Sequence, residues 1–181
     1  MRATETILSV LGSSAKPVEG RTAIQKLVYF CSLNKADLGY RPHFYGPYSP
    51  MVARRLEDLL SMDFIEEESR VTLNDRVMYT YSLTPDGFEL ARNIQTHEPE
   101  EYARITKIVN ACEAIANNDF NVLSWAAKVY FIIQQKGAEI SSRQQAVEMS
   151  KQFGWQLSPD EIDSGLELLA GLGLVKGPLA A

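Results

Sequence analysis

A chain of 181 residues with 45% apolar and 23% charged side chains has the balance of an ordinary globular protein, enough for one domain or two small ones sharing an interface. The formal charge of −5 speaks against a strongly basic nucleic-acid clamp. The charge is uneven: residues 1–95 hold 11 Lys/Arg against 12 Asp/Glu, and residues 96–181 hold 7 against 11, so the first half is the better surface for a polyanion.

The opening "MRATETILSVLGSS" lacks an apolar signal core followed by a small-residue cleavage site. Apolar runs such as "VYFII" at 129–133 are too short to cross a bilayer, so a cytoplasmic address and no membrane partner are expected. Cys31 and Cys112 lie in helical patterns without a second cysteine or a histidine at ligand spacing. They read as buried, reduced thiols. With only His43 and His97 besides, no metal site is expected.

In chain order, residues 4–12 read as a short amphipathic helix with Ile7, Leu8 and Leu11 on one face, ended by Gly12. "GSSAKPVEG" reads as a loop. "RTAIQKLVYFCSLN" then places Ile24, Leu27, Val28 and Cys31 on one helical stripe. Tyr29 and Phe30 widen it, so this second helix is expected to be buried on most of its circumference. After it comes "HFYGPYSP" at 43–50, which packs three aromatics, a histidine, a glycine and two prolines into eight positions. Gly46-Pro47 is a turn pair, and Ser49-Pro50 is an N-cap followed by a proline at the first helical position. The stretch therefore reads first as backbone engineering that launches the next helix, "PMVARRLEDLLSM". That helix turns Val52, Leu56, Leu59 and Leu60 to one side and Arg54, Arg55, Asp58 and Ser61 largely to the other.

A weak strand from Phe64 to about Val71, the turn "LNDR", and a period-two strand with Val77, Tyr79, Tyr81 and Leu83 on one face make a β-hairpin. Thr84-Pro85 repeats the cap-and-proline device and starts "PDGFELARNI". The second half is helical: "EPEEYARITKIVNACEAIAN", then the strongly apolar "NVLSWAAKVYFIIQQKG", then "SSRQQAVEMSKQFG". The last helix, "SPDEIDSGLELLAGLGLV", opens with Ser158 and Glu161 at capping-box spacing.

Three helices, a hairpin and a helix is the order of a winged helix-turn-helix. The expected class is mainly α with a small β-hairpin (α+β). The expected organisation is a winged helix-turn-helix-like domain over 1–95, a connecting helix over 96–118 and a helical C-terminal region over 119–181. Leu56, Leu59, Met62, Phe64 and Ile65 match Leu166, Leu169, Leu172, Leu174 and Val175 at a constant offset of 110. The echo reads either as a degenerate second winged helix or as chance likeness between two leucine-rich helix ends.

"GRTAIQKLVYF" at 20–30, "HFYGPYSP" at 43–50, "LEDLLSMDFIEE" at 56–67 and "YSLTPDG" at 81–87 occur in order over residues 20–95. Together they resemble the YwgA-like uncharacterised proteins and, more distantly, the Panacea (SocA-like) domain of phage-associated antitoxins. The resemblance implies a winged-helix-like domain with a regulatory or macromolecule-binding role, and it supplies no catalytic residues. One departure stands out. Fourteen residues, Lys35 to Tyr48, separate the second and third helices where a DNA reader has a turn of about 3–4.

Three functions were weighed. For nucleic-acid binding, Arg54 and Arg55 on the third helix and Arg70 and Arg76 beside the hairpin tip are the candidate contacts to duplex DNA. Glu57, Asp58, Glu66, Glu67 and Glu68 oppose them, and the same arginines read equally as ion-pair partners of those acids. For protein interaction, as in an antitoxin or adaptor, Tyr40, Phe44, Tyr45 and Tyr48 are the candidate anchors. The partner would be toxin-like or regulatory, or a second copy in a homodimer. The competing structural reading packs those rings between the second helix and the wing. For catalysis there is no phosphate loop, ligand spacing or nucleophile elbow, so no enzyme activity and no cofactor are expected. Nucleic-acid binding leads on fold-level analogy.

Overall fold

Among the described residues three of the four serine or threonine caps, Ser142 being the other, stand just before a proline and start a helix. The Oγ of Ser49 accepts the Val52 amide at 3.1 Å, that of Thr84 the Gly87 amide at 3.1 Å, and that of Ser158 the Glu161 amide at 3.3 Å. The proline after each of these three presets the first helical φ. Glu161 returns the bond by accepting the Ser158 amide at 2.8 Å, closing the capping box.

The computed structural model describes residues 1–32, 38–71, 75, 77–136 and 142–175. In chain order the elements are α1 (Ala3–Ser13), β1 (Val18–Glu19), α2 (Gly20–Ser32), α3 (Pro50–Ser61), β2 (Ile65–Val71), β3 (Val77–Leu83), α4 (Pro85–His97), α5 (Pro99–Ala116), α6 (Phe120–Lys136), α7 (Arg143–Gln152) and α8 (Pro159–Gly171). The protein is mainly helical with one small antiparallel sheet, an α+β fold. Among the described residues no helix is long and apolar enough to cross a membrane.

The expected hairpin forms, pairing from Ile65 opposite Leu83 to Val71 opposite Val77. Two expectations change. The sheet has three strands in the order β1-β3-β2, because Val18 and Glu19, expected in a loop, pair with Tyr81 and Thr80. The face of β3 also divides: Tyr81 and Leu83 are buried, whereas Val77 and Tyr79 are exposed, since the outer half of the hairpin projects past the core. Nor does Gly12 end α1. It lies within the helix where a Cβ would meet the Tyr102 hydroxyl at 2.8 Å and the Ala91 methyl at 3.0 Å, so its small size lets α4 and α5 approach.

α2 is buried without a break from Ala23 to Cys31. It packs against α1, α3, α5 and α6. One continuous apolar cluster runs from Ala3 in α1 to Leu169 in α8 and crosses the expected boundary at residue 95. Cys31 and Cys112 are free and buried in it; burial pushes the Cys112 thiol up to about 12 and Cys31 also upward.

The 110-residue echo extends to the backbone. The Phe64 amide bonds the Leu59 carbonyl at 3.0 Å and the Asp63 amide bonds Leu60 at 3.1 Å. Their counterparts are Leu174 to Leu169 at 2.9 Å and Gly173 to Ala170 at 2.9 Å. Asp63 and Gly173 both take positive φ, 59° and 69°. Both helices thus end in a Schellman turn with an apolar residue after it. That local motif accounts for the matching leucines, and no hairpin follows α8 among the described residues.

Candidate functional site

The "HFYGPYSP" segment is bolted to α2 by the two polar residues inside its buried run. The Gln25 amide pairs with the backbone of Ser49 in both directions, donating to its carbonyl at 3.0 Å and accepting from its amide at 3.1 Å. Lys26 Nζ donates to the Pro47 carbonyl at 2.6 Å. The Ser49 hydroxyl, besides capping α3, donates to the Leu38 carbonyl. Arg41 and Tyr48 exchange backbone hydrogen bonds at 2.9 Å each, closing the segment into a narrow loop. At its turn Gly46 has φ +92°, and a Cβ there would press on Lys128 Cγ at 3.2 Å. From the far end of the chain, Trp155 Nε1 donates to the His43 carbonyl at 2.7 Å. The loop is an anchored structural device.

The four candidate aromatics divide. Tyr40 is packed edge-on against Tyr29 at 4.8 Å, and its hydroxyl donates to the Gln25 carbonyl at 3.0 Å. Tyr48 is half-buried against the His43 ring at 5.2 Å. Phe44 and Tyr45 instead face solvent, 74% and 49% exposed, as an edge-to-face pair 4.9 Å apart. They border a groove of about 410 Å³ with Phe120, Trp125, Ser124 and Lys128. Phe120 is also 47% exposed. The buried Ser124 hydroxyl has no hydrogen-bond partner among the described residues.

The arginines are largely committed. Arg55 pairs with Asp58 at 2.7 Å, one turn along α3. Arg70 reaches Glu19 on β1 at 2.6 Å and touches the Met78 sulfur at 3.3 Å. Arg54 is exposed on α3. Arg76 lies outside the described residues. A fifth arginine, Arg21 at the start of α2, ties the elements together. Its guanidinium bonds Tyr81 at 2.8 Å, Glu67 at 3.1 Å and also Glu57. The Tyr81 hydroxyl donating to it, and then Arg21, hold the Glu67 carboxyl below its ordinary range. The acids that opposed DNA binding in the sequence are in part the counter-ions that lock α2, α3 and the hairpin together.

Comparison with known proteins yields a single stretch of likeness. The chain is 31% identical over 77 residues, 41% of its own length, to the uncharacterised protein YwgA of Bacillus subtilis (strain 168). Over that stretch the chain is YwgA-like. It spans less than half, 46%, of that relative's length. No family model matches.

Sequence reasoning passed over Gln25, Lys26, Arg21, Phe120, Trp125 and Trp155. The first two did carry a signal. A glutamine and a lysine within a helix expected to be buried on most sides must each find a partner in the interior. Phe120 and Trp155 gave none, because only folding brings residues 72 and more positions away to the 43–48 loop.

Proposed function

We propose that this chain is a non-catalytic regulatory module, built on a winged helix-turn-helix scaffold in its first half, that binds another protein through the exposed aromatic face of the 43–48 loop. The scaffold reading is supported by the order helix, strand, helix, helix, hairpin and by the placement of the first strand beside the last. The observation that carries the binding reading is the Phe44–Tyr45 pair, held outward by an anchored loop beside Phe120 and Trp125. Exposed aromatic anchors around a concave surface are what protein interfaces use. The groove also offers the Ser124 hydroxyl and the Lys128 ammonium, which suit a segment with an apolar anchor and a nearby carboxylate. The likeness to the Panacea domain favours a partner of the toxin kind.

Duplex DNA is the second reading. Arg54 favours it, being exposed on the helix that would enter the groove. It is outweighed by the commitment of Arg55 and Arg70 to carboxylates and by Glu66 and Glu68 exposed along the hairpin. Affinity purification of the tagged chain and of a Phe44→Ser/Tyr45→Ser variant, compared by mass spectrometry, tests the choice. A specific protein retained by the parent and lost by the equally stable variant is expected. A partner held equally by both, or a random-duplex gel shift that falls steeply with salt and weakens in Arg54→Ala, overturns it.

A further inference from the structure

Lys26 is 1% exposed, and its polar partner among the described residues is a neutral carbonyl, that of Pro47. A buried ammonium without a counter-ion is costly, so such a group either gives up its proton or gains an anionic partner. Beside it, between α2, α3 and the 43–48 loop, lies a cavity of about 140 Å³. An apolar cavity of about 150 Å³ admits a benzene-sized molecule. The walls here are mostly apolar, from Ile24, Val52, Ala53 and Leu56, with the rings of Tyr45, Tyr48 and His43 on the loop side. Among the described residues Lys26 and Arg21 border it, and no carboxylate does. Arg21 is already bonded to Glu57 and Glu67. Among the described residues Lys26 remains as the cation without a carboxylate partner.

We infer that this cavity binds a small carboxylate with an apolar body, its charge meeting the Lys26 ammonium and its body the Val52 and Leu56 wall. Burial and the repelling Lys128 ammonium hold Lys26 down at about 7, so the site is poised to take up a proton when an anion enters. The size of the cavity selects a body of about six carbons, and its apolar walls reject free phosphate or sulfate. This site shares Tyr45 with the groove on the outer side of the loop, and its other walls are different residues.

Titration of the full-length protein with benzoate, its neutral isostere benzamide, and butyrate, followed by amide and methyl NMR shifts, tests the inference. Benzoate or butyrate is expected to shift resonances around Val52, Leu56 and Tyr48 at millimolar concentration or below, and benzoate to bind at least about tenfold more tightly than benzamide. In Lys26→Met, an apolar side chain of similar length, that preference should fall to about one while the fold is retained. Should that variant fail to fold, Ala53→Leu, which fills the cavity, should abolish the shifts. Equal affinity for benzoate and benzamide in the parent, no shift with either carboxylate at about 10 mM, or binding undiminished in Ala53→Leu would sink the idea.

Discussion

At the scale of single residues the protein is most unusual at Lys26. Burial first, and then Lys128, lower its pKa from 10.5 to about 7. The unfolded chain keeps the ordinary value and so binds the extra proton over the interval between the two. The unfolded state holding more protons means that stability rises with pH from about 7 upward, and that protonation below 7 weakens the fold. Between pH 7 and about 8.5, before thiols and phenols titrate in the unfolded chain, one such lysine contributes at most about 1.4 kcal/mol per pH unit. Urea unfolding across that window should show the rise in the parent, and a flatter profile in Lys26→Met. An identical slope in both would mean that the amine is hydrated and normal. The residue was legible to this extent: a lysine in "AIQKLVYF" had to be either an outward face or a buried exception. Neighbours such as Pro47 and Lys128, supplied by other parts of the chain, made it the exception.

At the scale of elements the sequence was read most faithfully where the determinant is local. Ser49, Thr84 and Ser158 cap helices because a hydroxyl reaches an amide three residues on, whatever the rest of the fold does. Ser49 does more than its spacing announces, since its hydroxyl also donates to the Leu38 carbonyl and its backbone is clasped by Gln25. Ser49→Ala should therefore cost about 2 kcal/mol, above the usual loss of one cap, because it also strands a buried carbonyl. A denaturant midpoint lowered without a change in slope is the expected signature. A loss below about 0.5 kcal/mol would show the loop to be held by Gln25 and Lys26 alone. The opposite case is β1, whose two residues carry no period of their own. Val18 and Glu19 are a strand only because β3 presents an unpaired edge beside them.

At the scale of the whole molecule, the boundary drawn near residue 95 divides motifs without dividing the core. α2 is packed on α5 and α6 as closely as on its own neighbours α1 and α3. The Tyr29 hydroxyl donates to Gln134 at 2.8 Å, and its ring meets Tyr130 at 6.2 Å. Removal of everything after residue 97 would expose one side of a helix that has no polar face to give to solvent. The fragment 1–97 is expected to lose near-UV ellipticity and NMR dispersion and to aggregate, although it contains every element of a winged helix. A well-dispersed, monomeric spectrum from that fragment would show that residues 1–97 fold by themselves.

By itself the sequence determined the helices, their caps, the hairpin and the burial of α2, because each follows from the spacing of apolar residues and from hydrogen bonds a few positions long. It determined too that the segment at 43–50 turns one helix into the next. Only the tertiary structure decided which aromatics of that segment face outward, which arginines are already paired, and that a lysine lies inside beside a small cavity. Apart from the Arg55–Asp58 pair one turn along α3, those outcomes depend on contacts between residues 21 to 112 positions apart, and no local pattern carries information about a partner that chain folding alone brings near.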